Sequence, residues 1–125
     1  MNTVLVGNHL VNDYGMDTLE VGSMIAWAME LYEKGLITDK DTPGLKLEWG
    51  SDEAVIEAIK QIAFRKGIGD ILADGPLPAA KKLGPESLKY LIHVKGMSNL
   101  HSDERATPAL ALNIAVASRG ADHLR

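Results

Sequence analysis

Between Val21 and Tyr32 apolar side chains return at helical spacing, at Val21, Met24, Ile25, Ala28, Met29 and Tyr32, and so line one face of an α-helix. Asp17 or Thr18 stands where the N-cap of that helix belongs, and Gly35 where it stops. A second apolar face, Val55, Ile56, Ile59, Ile62 and Ala63, follows the capping sequence Ser51-Asp52-Glu53 and runs to the breaker Gly67-Ile68-Gly69. Between the two helices, residues 38–44 are rich in turn formers. Leu45, Leu47 and Trp49 then alternate with Lys46 and Glu48 as in a short strand or extended segment.

Shorter helices are expected over Gly69–Ala73 and Pro78–Leu83, and an extended stretch over Leu91–Val94 after the Gly84-Pro85 turn. A polar loop from Ser98 to Glu104 leads through Pro108 into the segment Ala109–Ala117, which is apolar nearly all round and so calls for burial on every side. A chain of 125 residues has little with which to surround such a helix. Exposed apolar surface is therefore expected there unless another chain covers it, and a homodimer is one way to do so. The fold class read from these patterns is mainly α: a single helical domain over residues 1–125, a domain fragment with one or two short extended segments.

Composition narrows the picture. With 46% apolar and 24% charged residues the chain is of ordinary globular type. Its net charge of −4, with Lys and Arg scattered among carboxylates, offers no footprint for a nucleic-acid backbone. It has no cysteine, which excludes disulfides and any iron–sulfur cluster ligated by this chain. No apolar run approaches the roughly 18 residues of a membrane span, and no basic region precedes an apolar one at the start, so a soluble, cytoplasmic protein is expected.

Two constellations hold candidate chemistry: Asn12-Asp13-Tyr14-Gly15-Met16-Asp17 before the helix of residues 18–32, and Ser118-Arg119-Gly120-Ala121-Asp122-His123-Leu124-Arg125 after the last one. Both read as loop–helix junctions. A carboxylate beside exposed backbone groups can bond a polar heterocycle, and paired arginines suit phosphate oxygens by their bidentate geometry. The same residues also fit plainer roles: Asn-Asp-x-Gly is a common turn, Asp17 an ordinary N-cap, and on spacing alone the turn is the preferred reading. Arg119 and Arg125 also suit solvated surface positions. His9, His93, His101 and His123 make no metal-binding spacing with one another, and no zincin, Walker or nucleophile-elbow pattern occurs.

Longer stretches point further. NDYGMDTLEVGSMIAWAMELYEKGLIT resembles the segment of aldehyde:ferredoxin oxidoreductases in which a D/N-x-x-G-L-D/C motif meets the cofactor. LEWGSDEAVIEAIKQIAFRKGIGDILADG, YLIHVKGM and ALNIAVASRGADHLR resemble, in the same order, that family's Trp-Gly segment with its following helix and Gly-x-Gly-Asp stretch, its His-Val-Lys-Gly, and its apolar helix ending in Ser-x-Arg-Gly-x-x-His-Leu. Several linked motifs along the whole chain weigh more than any one alone.

The resemblance implies an enzyme with a tungsten- or molybdenum-bis-pterin cofactor that oxidises aldehydes to carboxylates and passes electrons to ferredoxin. It implies that Asn12, Met16 and Asp17 contact one pterin, that Arg119 and Arg125 contribute to the cofactor-binding loops, and that His123 stands beside the metal as the acid–base group. Asn12 replaces the family's acidic residue and Met16 its leucine, while His101–Arg105 lacks the proline of the family's Asp-Pro-Arg loop. A [4Fe–4S] cluster is implied for the parent enzyme, with its cysteines outside this chain. The resemblance also implies an N-terminal β-rich domain in that parent. By this measure the chain is a middle-to-late portion of a larger enzyme, inactive by itself, whose main partner is the remainder of that enzyme. Two alternatives stay open on sequence: a stand-alone helical assembly module, and one subunit of a split oxidoreductase.

Overall fold

The computed structural model of the protein describes residues 2–99 and 101–121. Six α-helices follow in order: α1 (Asn2–Asp13), α2 (Thr18–Glu33), α3 (Asp52–Phe64), α4 (Ile68–Leu72), α5 (Pro76–Leu83) and α6 (Pro108–Val116). Between α5 and α6 come a 3₁₀ turn (Pro85–Tyr90), two short strands, β1 (His93–Val94) and β2 (Met97–Ser98), and a second 3₁₀ turn (Glu104–Ala106). The protein is mainly α, as the patterns predict. No helix among the described residues is long and apolar enough to cross a membrane.

Helix α2 is the centre of the core. Asp17 caps it, its Oδ1 accepting from the Glu20 N–H at 2.7 Å, and Gly35 ends it with a φ of +71°. It buries Val21, Met24, Ile25, Trp27, Ala28, Met29 and Leu31, each large apolar side chain contributing about 1.5–3 kcal/mol on leaving water. Trp27 Nε1 also donates to the buried Ser87 carbonyl at 3.2 Å, which fastens the first 3₁₀ turn to this helix.

Helix α3 starts where Ser51 predicts, with Ser51 Oγ accepting from the Ala54 N–H at 3.2 Å. Its buried face, however, is Ala54, Ala58, Ile59 and Ile62, whereas Val55, Ile56 and Ala63 are half-buried. Helix α4 crosses very close to the end of α3. A Cβ on Gly69 would stand 2.1 Å from the backbone carbon of Gln61, so only glycine fits. Arg65, itself left-handed at φ +50°, secures this corner by donating to Asp70 at 2.9 Å and to Asp74 at 2.6 Å. Leu45 and Leu47 are buried in a segment that pairs with no strand among the described residues, and Trp49 is exposed.

One helix departs from the sequence reading. Residues 2–13 are helical, so Asn12 lies in the last turn of α1 and not in a loop. Val4, Leu5 and Val6 are consecutive and exposed, and only Gly7 and Val11 of α1 are buried, so no apolar periodicity announces it. Helix α1 closes by a Schellman motif: Met16 N–H donates to the Val11 carbonyl at 2.9 Å and Gly15 N–H to the Asn12 carbonyl at 3.0 Å, with Gly15 left-handed at φ +68°. The Asn-Asp-x-Gly turn is thus a helix stop.

Candidate functional site

The Schellman turn of α1 runs directly into the N-cap of α2, and this junction carries Asn12, Met16 and Asp17. Asn12 Nδ2 donates to the Asn8 carbonyl at 2.7 Å, and its Oδ1 has no partner among the described residues. Met16 is half-buried against the core. Asp17 is exposed and uses Oδ1 for the cap, which leaves Oδ2 as an acceptor at the positive end of a helix. Met16 and Asp17 line a cleft of about 230 Å³ together with Glu20, Met24, Ile62 and Leu72.

Glu20, in the first turn of α2, accepts from the Ser98 N–H at 3.1 Å and from Ser98 Oγ at 2.9 Å. Ser98 belongs to β2, which pairs antiparallel with β1 in the register His93↔Ser98 and Val94↔Met97. The connection is a two-residue turn with Lys95 at φ +53° and Gly96 at φ +89°, positive at both positions as in a type I′ turn. On the far side of this hairpin, Lys95 Nζ donates to the carbonyls of Ala117 at 2.6 Å and Ala115 at 3.3 Å, the end of α6. A Cβ on Gly120 would stand 2.3 Å from the Val94 carbonyl oxygen, so the turn that carries Arg119 lies directly on the hairpin backbone.

The two sequence-selected segments, 12–17 and 118–121, are therefore fastened to the same small hairpin, one through Glu20 and Ser98, the other through Lys95, Val94 and Gly120. Arg119 is exposed on its turn. His123 and Arg125 lie outside the described residues. Helix α6 buries Ile114 alone and leaves Leu112 and Val116 open.

Sequence reasoning missed Glu20, Ser98 and Lys95, and also a contact of His101, whose Nε2 is 2.8 Å from Ser23 Oγ where the loop after β2 returns to α2. Glu20–Ser98 and Ser23–His101 each join positions 78 residues apart and leave no local signal, whereas Lys95 stands in the His-Val-Lys-Gly stretch, which gives no hint of its reach to α6. No group of His, Asp and Glu among the described residues is placed to hold a metal ion. A hollow of about 1010 Å³, an open trough between residues 42–46 and α3, contains none of the selected residues. The chemistry-bearing groups lie instead at the smaller cleft and the hairpin.

The described residues thus form a helical body in which a two-stranded clip joins the N-cap of α2 to the arginine turn after α6. The chain belongs to the aldehyde ferredoxin oxidoreductase family, matching the model of that family's domains 2 and 3 over residues 1–125. It is 36% identical to a tungsten-containing aldehyde ferredoxin oxidoreductase of Pyrococcus horikoshii over 98% of this chain and 20% of that protein. An aliphatic sulfonate oxidoreductase, WOR-like subunit, of Pyrococcus furiosus is 34% identical over 93% of this chain and 19% of that protein. Among solved structures, the active site complex BamBC of benzoyl coenzyme A reductase in complex with 1,5-dienoyl-CoA matches with a TM-score of 0.66 and 36% identity, over 72% of this chain and 14% of that one. The chain thus spans about a fifth of the length of the curated relatives it matches.

Proposed function

We propose that this chain forms one wall of the cofactor site in an aldehyde:ferredoxin oxidoreductase-like enzyme, and that the parent oxidises an aldehyde and water to a carboxylate with two electrons leaving for ferredoxin. The observation that carries the reading is the hairpin linkage of the Asn12–Asp17 junction to the Arg119 turn. The donor set at the junction fits a pterin edge: the second carboxylate oxygen of Asp17 and the amide oxygen of Asn12 are acceptors suited to ring N–H groups, and Met16 offers a soft apolar contact. A cleft of about 230 Å³ suits one edge of such a ring system and not the whole. The rest of the site belongs to the remainder of the parent.

When bound, the tungsten- or molybdenum-pterin group supplies the two-electron redox couple. Arg119 and Arg125 hold phosphate oxygens by paired N–H donation. His123 takes up the proton released as water adds to the aldehyde carbon, a task that imidazole meets near neutral pH. With no cysteine here, the ligands of a [4Fe–4S] relay come from the rest of the parent, as does the covering of Leu112 and Val116 on α6. The relative named for aliphatic sulfonates suggests that substrate range varies within the family around a shared frame.

The test is the metal and pterin content of the full-length protein produced with tungstate and with molybdate, together with aldehyde-dependent reduction of ferredoxin. A stoichiometric metal–pterin complement is expected, and His123→Asn is expected to lower turnover by about 10²–10⁴-fold at unchanged metal content. Full-length protein that is folded but free of pterin and metal would overturn the reading in favour of a helical assembly module.

A further inference from the structure

Lysine is an unexpected residue at the first central position of a type I′ turn, where Asn, Asp and Gly have the conformational advantage. Here Lys95 adopts φ +53° and its side chain reaches the end of α6, with Nζ donating to the Ala117 carbonyl at 2.6 Å and the Ala115 carbonyl at 3.3 Å. These are carbonyls that a helix C-terminus leaves without intrahelical partners, and the negative end of the helix favours a cation there. The Ala117 carbonyl has a second donor, the Gly120 N–H at 3.3 Å, which closes the turn containing Ser118 and Arg119. One oxygen thus anchors both the lysine and the arginine turn.

Within helix α6 itself Ile114 alone is buried. Gly120, at φ +108°, is buried with its backbone against Val94 and Lys95, and Ala121 is buried beside it. The hairpin is in turn held to the first turn of α2, three positions beyond Asp17, through Glu20 and Ser98.

The geometry points to Lys95 as a positioning residue that sets where the Arg119 turn stands relative to the Asp17 junction, by gripping the Ala117 carbonyl from a left-handed turn. The inference rests on the proposed function for its purpose, which is to bring an anion-binding arginine to the cofactor edge. It is independent of that function for its geometry.

Two substitutions separate the grip from the turn. Lys95→Met keeps a long side chain without donors, and Lys95→Asn favours the left-handed turn but cannot reach α6. Lys95→Arg restores a charged donor. Amide hydrogen exchange is measured in the full-length protein, with bound metal assayed on the same samples. In both Lys95→Met and Lys95→Asn, exchange over 117–121 is expected to quicken at least tenfold while α2 remains protected, with Lys95→Arg close to wild type. Metal retention after dialysis is expected to fall in the first two variants and recover in the third. Unchanged protection of 117–121 in Lys95→Met or Lys95→Asn overturns the inference, and so does an equal loss of protection through α2. Failure of the proposed function is seen separately, as wild-type protein without metal or pterin, and leaves the exchange result readable.

Discussion

Glu20 takes both polar hydrogens of Ser98, the backbone N–H at 3.1 Å and the hydroxyl at 2.9 Å, and in doing so joins the start of α2 to the hairpin. Hydrogen bonds to a charged group contribute about 1.5–3 kcal/mol when partly shielded from water. Glu20→Ala is expected to destabilise the chain by about that amount in urea titration, and Ser98→Ala by less because the backbone N–H bond survives. A double-mutant cycle that finds no coupling between the two positions would show that the linkage is not energetic.

Asp17 has two roles that substitution can divide. Asn caps a helix about as well as Asp, whereas Ala loses about 1 kcal/mol at such a position. Asp17→Asn in the full-length protein is therefore expected to keep its melting temperature but bind less pterin, and Asp17→Ala to lose both. Pterin content equal to wild type in Asp17→Asn would leave Asp17 as a cap alone.

Gly69 and Gly35 should respond very differently to alanine. At Gly69 the added methyl would stand 2.1 Å from the Gln61 backbone, and parting α3 from α4 is expected to cost about 3 kcal/mol or more. At Gly35 nothing lies within 4 Å, and only the left-handed φ of +71° is strained, an effect of about 1–2 kcal/mol. Thermal melts of the two variants give the comparison directly.

Asp74 accepts from Lys82 Nζ at 2.6 Å and from Arg65 Nη2 at 2.6 Å, and these partners, Lys82 first, hold its carboxyl below the ordinary value of 3.8. A carboxyl depressed in the folded state contributes stability that is complete above its unfolded value and fades as pH falls through the folded one. The contribution is thus present at neutral pH and lost from about pH 4 downward. Asp74→Asn is expected to lower the melting temperature at pH 7 and to show a shallower decline below pH 4. Parallel curves for the two proteins would mean that the Arg65–Asp74–Lys82 network has no energetic weight.

The helices α2 and α3 were legible because their information is local: Asp17 and Ser51 are caps within their own first turns, and the apolar spacing after them is helical. Helix α1 was not legible, since it lies half against the core and its Val4-Leu5-Val6 run has no period. Of the hairpin, Leu91–Val94 read as extended but Ser98 read as the start of the polar loop Ser98–Glu104, so the pairing was hidden. The proposed cofactor contacts of Asn12, Met16 and Asp17 came from resemblance and not from spacing. Glu20 carries nothing in its neighbours to mark it, and Lys95, though inside the His-Val-Lys-Gly stretch, has nothing there that shows its reach to α6.

The hairpin also sets limits on how this part of the family can vary in length. Side chains alternate along a strand, so one residue added between Gly96 and Ser98 would turn the serine hydroxyl away from Glu20 and present the methionine in its place. Beyond Asn99 no strand pairing fixes a register among the described residues. Related chains should therefore gain and lose residues between 99 and 107 while keeping the span from His93 to Ser98 at constant length.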